Sequence, residues 1–182
     1  MQSDADLIAG SRESFAALFD RHAAALHRYL ARRAGSTIAE DLVGQAFLVA
    51  FENRHRYDPS RPDARAWLYG IATNLLRRHH RDEARMFRAL ARTGDSETAP
   101  CPADRVTDRV DAAALSGRLA ELLAGVPPRE RDVLLLAAWA DLDLTEISRA
   151  LDIPPATVRT RLHRARKRLR PALSACEENS HE

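Results

Sequence analysis

Aromatic residues make up only 5% of this 182-residue chain, glycines number seven, and Lys167 is the single lysine among 28 basic residues. With so few aromatics and glycines, and no strand-like alternation, an all-β architecture is excluded. Alanine, leucine and arginine dominate instead, a composition that favours helices. The two cysteines, Cys101 and Cys176, are far apart in sequence. They fit neither a disulfide framework nor a metal-ligand spacing, so a reducing compartment is expected. No apolar run approaches the roughly 20 residues needed to span a bilayer. The opening "MQSDADLIAG" is polar and acidic, without the apolar segment of a secretory leader. These features imply a soluble, cytoplasmic protein with no membrane insertion. Net charge is only +2, so any attraction to a polyanion must come from local clusters.

Chemistry is also sparse. The chain has no nucleophile–base arrangement, no glycine-rich phosphate loop and no metal-ligand cluster. His79 and His80 are neighbours, but successive helical residues point about 100° apart and no third ligand is evident. The expectation is a non-enzyme with no cofactor and no metal. What the chain does hold is 45% hydrophobic residues, enough for a real core, and many arginines. Their planar guanidinium forks suit phosphate and guanine better than a lysine point charge does.

Helical patterns run along the chain in two blocks. In the first, Phe15, Leu18, Phe19, His22, Leu26, Tyr29 and Leu30 share a face of a helix that begins near Ser11 and is punctuated by Gly35. A second helix places Leu42, Val43, Ala46, Phe47, Ala50 and Phe51 on one stripe. After the loop "YDPSRPD", "ARAWLYGIATNLLRRHHRDEARMFRALAR" reads as a third, apolar at first and cationic from "RRHHR" onward. The segment "TGDSETAPCPADRVTD" then breaks the pattern and reads as a mobile tether. Helical pattern resumes at "VDAAALSGRLAELLAGV". The predicted organisation is all-α: two small helical domains, residues 1–92 and 110–173, joined by a flexible acidic linker at 93–109. A disordered tail is predicted at 174–182.

The second block carries the more specific signal. "PPRERDVLLLAAWADL" places Pro128 in a first helical turn. A short helix at Leu144–Leu151, a tight turn at Asp152–Pro154 and a longer basic helix make a helix-turn-helix pattern. Asp152 stands where such a turn calls for a left-handed residue, which Asp tolerates. Pro155 suits the first turn of the following helix. Val158, Leu162, Ala165 and Leu169 seat that helix on its own domain. Arg159, Arg161, His163, Arg164, Lys167 and Arg168 are left facing outward for a polyanion. A major groove admits such a helix, with its first residues near base edges and later ones near phosphates.

The stretch "PPRERDVLLLAAWADLDLTEISRALDIPPATVRTRLHRARKRL" resembles region 4 of bacterial sigma factors. "AEDLVGQAFLVAF" followed by "ARAWLYGIATNLLRRHHR" resembles their region 2. The order, the tether and the length resemble the extracytoplasmic-function (ECF) subfamily of the sigma-70 family. The resemblance implies a promoter-specificity subunit that binds core RNA polymerase and directs transcription initiation. Region 2 would bind the β′ coiled coil through Asp41, Leu42, Gln45, Phe47 and Leu48. It would read and melt the −10 element through Asn74, with Trp67 and Tyr69 as stacking surfaces and Arg77, Arg78 and Arg81 on phosphates. Gln45 stands where the family often has an acidic residue. Region 4 would read −35 duplex through Arg159, Thr160, Arg161, His163 and Arg164, with Lys167 and Arg168 on phosphates. Helices around Leu119–Leu136 would seat on the β flap. The linker's Asp95, Glu97, Asp104 and Asp108 would suit a strand threading a basic channel. An anti-sigma factor enters as a further partner, because many members of the family have one.

Two alternatives stay open on the sequence. A stand-alone helix-turn-helix regulator would bind duplex DNA without polymerase, but it leaves "AEDLVGQAF" without a purpose. A protein-interaction adaptor would show no dependence on DNA.

Overall fold

The computed structural model describes residues 2–61, 63–92 and 120–178, and among them every regular element is helical. The first is α1 (Asp4–Ala9), which the periodicity did not predict because six residues hold less than two turns. Its start is written locally. Ser3 caps the backbone of Asp6, and the Asp6 carboxylate returns to the Ser3 backbone, a capping box. Leu7 and Ile8 are then buried.

Helix α2 (Arg12–Ala34) is capped by Ser11, whose hydroxyl accepts from the Ser14 N–H. It turns into α3 (Ser36–Glu52) at Gly35, where φ is +82° and ψ is 162°. That backbone is open only to glycine, so the chain can reverse in one residue. Ala39, Ala46 and Ala50 are fully buried, and these small side chains let α3 lie close to α2. Helix α4 (Arg65–Arg92) matches the third predicted span within a residue and packs on both. Tyr29 meets Tyr69 edge-on at 5.1 Å near the centre of this unit.

The second unit follows a helical segment at 120–124. Helix α5 (Pro128–Trp139) opens on a proline whose missing N–H costs nothing in a first turn. Helix α6 (Leu144–Leu151) has a capping box from Asp143 and Glu146. It ends at Asp152, which adopts the left-handed conformation the turn requires, φ 50° and ψ 53°. The Ser148 hydroxyl donates to the Ile153 carbonyl at 2.6 Å and ties the corner down. Helix α7 (Pro155–Glu178) runs past residue 174, where a disordered tail was predicted.

A larger difference concerns the two units. They form one continuous apolar core from Leu7 to Leu162, with α6 packed on α4. Gly70 of α4 is buried against α6, and a Cβ there would overlap the carbonyl oxygen of Ala150. Arg65 donates to the Ala140 carbonyl at 2.6 Å across the same seam. The predicted linker, with Cys101, Asp95, Glu97, Asp104 and Asp108, lies outside the described residues, as does Leu119.

Candidate nucleic-acid and polymerase interfaces

On α7 the inward and outward sets separate as the spacing requires. Val158, Leu162, Ala165 and Leu169 are buried. Arg159, Thr160, His163, Arg164 and Lys167 are exposed, and Arg161 is half-buried. Thr160 spends its hydroxyl on the Ala156 carbonyl at 2.9 Å, so its methyl and its remaining lone pairs face outward. Arg168 is also exposed, but its Nε lies 3.2 Å from the Glu130 carboxylate of α5. It therefore braces α7 on its own unit as well as extending the cationic face. Arg159, His163 and Arg164 stand in water, with Arg161 half-buried beside them, at the start of a helix whose other side is anchored. Such a face can enter a groove without deforming the protein.

On α4 the expected residues divide. Asn74, Arg78 and Arg81 are exposed. Arg78 lies 3.7 Å from Asp82 in a loose surface pair. Trp67 is half-buried and leans on Tyr57 with ring centroids 5.1 Å apart. Tyr69 is 6% exposed and presents no stacking face in this arrangement. Burial raises its phenol pKa above the ordinary value, against the opposing field of Arg65 and Arg28. Arg77 turns toward the second unit: its Nε donates to the Asp132 carboxylate at 2.6 Å, and its Nη1 donates to Asn74 Oδ1 at 3.3 Å.

Asp132 is 1% exposed and holds a second guanidinium, that of Arg33 from α2. Arg33 also donates to the Tyr29 hydroxyl, which lies 3.2 Å from the Thr73 hydroxyl. Burial disfavours the Arg33 charge, yet Tyr29 and Asp132 outweigh it, and its proton is held more tightly than usual. A cavity of about 470 Å³ opens beside this group, lined in part by Arg32, Arg131, Leu135 and Trp139. Arg32 stacks over the Trp139 ring at 5.6 Å. Burial and the nearby Arg33 shift the Arg131 pKa downward, so the region is crowded with positive charge.

On α3, Asp41, Gln45 and Leu48 are exposed, whereas Leu42 and Phe47 face the core. Leu48 is 58% exposed, and Phe19 of α2, which the sequence placed among core residues, is 42% exposed. Phe19 meets Phe47 edge-on at 4.8 Å. Together with Phe15 and Phe51 these side chains line an apolar groove between α2 and α3, bordered by Arg12 and Asp20. The signal was in the sequence: the α2 stripe has more apolar residues than one buried face accommodates.

One group of side chains has metal-ligand spacing among the described residues: Asp4, His22 and Asp63. Asp4 is already fully engaged. One oxygen meets Arg21, and the other meets His22 Nε2 at 2.7 Å and the Ala64 N–H at 2.9 Å. The group pins α1 to α2 and to the start of α4. No helix among the described residues is long and apolar enough to cross a membrane.

The comparisons with known proteins agree with this geometry. Residues 18–86 match the family model described as Sigma-70 region 2, and residues 116–169 match Sigma-70, region 4. The ECF RNA polymerase sigma factor SigL of Mycobacterium tuberculosis is 32% identical over 86% of this chain and 87% of its own length. SigW of Bacillus subtilis is 32% identical over 90% of this chain and 91% of its own. Among solved structures, CnrH in complex with the cytosolic domain of CnrY superposes with a TM-score of 0.65 at 26% identity, covering 94% of both chains. The sigma factor RpoE of Bartonella quintana, solved with the anti-sigma factor NepR, shares the fold at a TM-score of 0.66, 19% identity, and coverage of 89% of this chain and 98% of its own. With both regions present in order on a fold of this kind, the chain belongs to the ECF subfamily of sigma-70 factors, the promoter-specificity subunits of RNA polymerase.

Proposed function

We propose that the two helical units divide promoter recognition between them, each through its own exposed side chains. The unit ending at residue 92 docks on core polymerase through Asp41, Gln45 and Leu48 of α3, with Phe19 and the adjoining groove as the apolar part of the contact. Leu42 and Phe47 support that surface from beneath. Asn74 offers an amide that both donates and accepts on the edge of an unstacked base. Arg78 and Arg81 follow the phosphates, and Arg77 becomes available once the second unit moves off α4. That unit, residues 110–173, reads duplex −35 DNA through the start of α7 and seats on polymerase through the surface around α5.

The observation that carries this reading is the outward face of α7, cationic and in water, on a helix anchored by four buried apolar residues. No covalent step by this chain is needed: capture of an open strand by one unit and duplex by the other supplies the work. Two attachments on one chain raise the effective concentration at the second site. The chain acts where polymerase is, in the cytoplasm, and a regulator of the anti-sigma type would act by competing for the same surfaces.

Co-elution of the full chain with core RNA polymerase from its own source on a sizing column tests the reading. A stable complex that initiates from a defined promoter is expected. No complex, with tight duplex binding by the free chain, would leave a helix-turn-helix regulator instead.

A further inference from the structure

The cavity beside Asp132 holds more positive charge than the carboxylates around it balance. Asp132 divides its one negative charge between Arg33 and Arg77. Its neighbour Arg131 lines the cavity half-buried, with no hydrogen bond or ion pair among the described residues. Arg32 also lines it, and its guanidinium lies over the Trp139 ring rather than against an acid. From α4, Glu83 lies 3.5 Å from His79 and not at the arginines. Burial, then the charge of Arg33, shift the Arg131 pKa downward, and Asp132 does not offset them. Partial burial and Arg33 act in the same direction on His80, which lines the cavity too. The rest of the lining is apolar: Ala120, Leu123, Leu135 and the Trp139 ring. The volume, about 470 Å³, is that of about fifteen waters and lies within the range of small-molecule sites. A guanidinium without a counter-charge in such a place is costly, and an anion that enters removes that cost.

We infer that this cavity binds a small organic anion, with its acidic head held by Arg131 and Arg32 and its apolar or aromatic body seated on Leu123, Leu135 and Trp139. A guanidinium fork matches a carboxylate, and equally a phosphate or sulfonate, through two parallel N–H donors. The apolar lining decides against a bare inorganic anion, which would leave Leu123 and Leu135 uncovered. The missing carboxylate decides against a neutral ligand, which would leave Arg131 without a counter-charge. The site uses none of the residues assigned above to DNA. It can therefore be tested on the free chain, whatever becomes of the promoter reading.

The probe is octanoate, one carboxylate on an apolar chain, titrated into the full-length protein by isothermal calorimetry. Octanol has the chain without the charge, and inorganic phosphate has the charge without the chain. Saturable binding of octanoate is expected, about tenfold tighter than either. Arg131→Met keeps the bulk of the side chain and removes its charge, and should weaken octanoate about tenfold. If that chain does not fold, Arg32→Met decides by the same measure. Arg12→Met strips a cation from the other apolar groove, between α2 and α3, and should leave octanoate affinity unchanged. Loss of affinity in Arg12→Met but not in Arg131→Met would place the anion in that groove and overturn the inference. Octanoate that binds no tighter than octanol or phosphate overturns it as well, as does unchanged affinity in a folded Arg131→Met chain.

Discussion

In the carboxy-terminal unit, α7 keeps Arg159, Arg164 and Lys167 in water and anchors itself with Val158, Leu162 and Ala165. In the amino-terminal unit, Arg33 and Arg77 turn inward onto a carboxylate that the other unit supplies. The same residue type is thus displayed in one place and sequestered in the other. The units also differ in what holds them together. Buried or half-buried charge ties the first, through Asp4 with Arg21 and His22. Apolar packing and helix caps tie the second, through Ile147, Asp143 and Asp152.

The comparison can be broken first at the buried carboxylate that ties the amino-terminal unit together. Asp4→Ala leaves Arg21, His22 and the Ala64 N–H without their acceptor, and the loss is expected to be about 3 kcal/mol in thermal unfolding of the intact chain. The acid side should show the same group. Burial alone would raise the Asp4 pKa, but the Ala64 N–H, His22 and Arg21 outweigh it and hold it below the usual carboxylate value. Its contribution is therefore complete above the ordinary carboxylate range and is lost as pH falls below it through the lowered folded-state value. In Asp4→Asn that part of the acid dependence should be missing.

On the displayed side, Arg161→Ala should cost about 2 kcal/mol at one −35 base pair, read as altered sequence preference with core polymerase present. Uniform loss on every sequence would make Arg161 a phosphate contact only. The smallest expected effect is at the α6 cap. Asp143→Ala removes the acceptor for the Thr145 and Glu146 N–H groups and should cost about 1 kcal/mol, confined to the second unit.

Much of this arrangement was legible in local sequence. The left-handed Asp152, the helix start at Pro155 and the span of α4 follow from turn chemistry, proline geometry and 3.6-residue spacing, which act between near neighbours. Helix α1 was too short to show a period. Phe19 looked like core because an apolar stripe does not say which of its members lies at the edge. The seam was not legible. Gly70 and Ala150 lie on helices far apart in the chain, and Asp132 reads in sequence as an ordinary acidic residue of an amphipathic helix. Its burial depends on Arg33 and Arg77 arriving from two other helices. Tyr69, expected at a surface, is instead buried edge-on against Tyr29 of its own unit.

The division of labour is tested most directly by permanganate reactivity of −10 thymines in complexes of core polymerase, promoter and the Asn74→Ala chain, together with footprints at −35. The account predicts unchanged −35 protection and reduced −10 reactivity. Full −10 reactivity, or an equal loss at both elements, would contradict it.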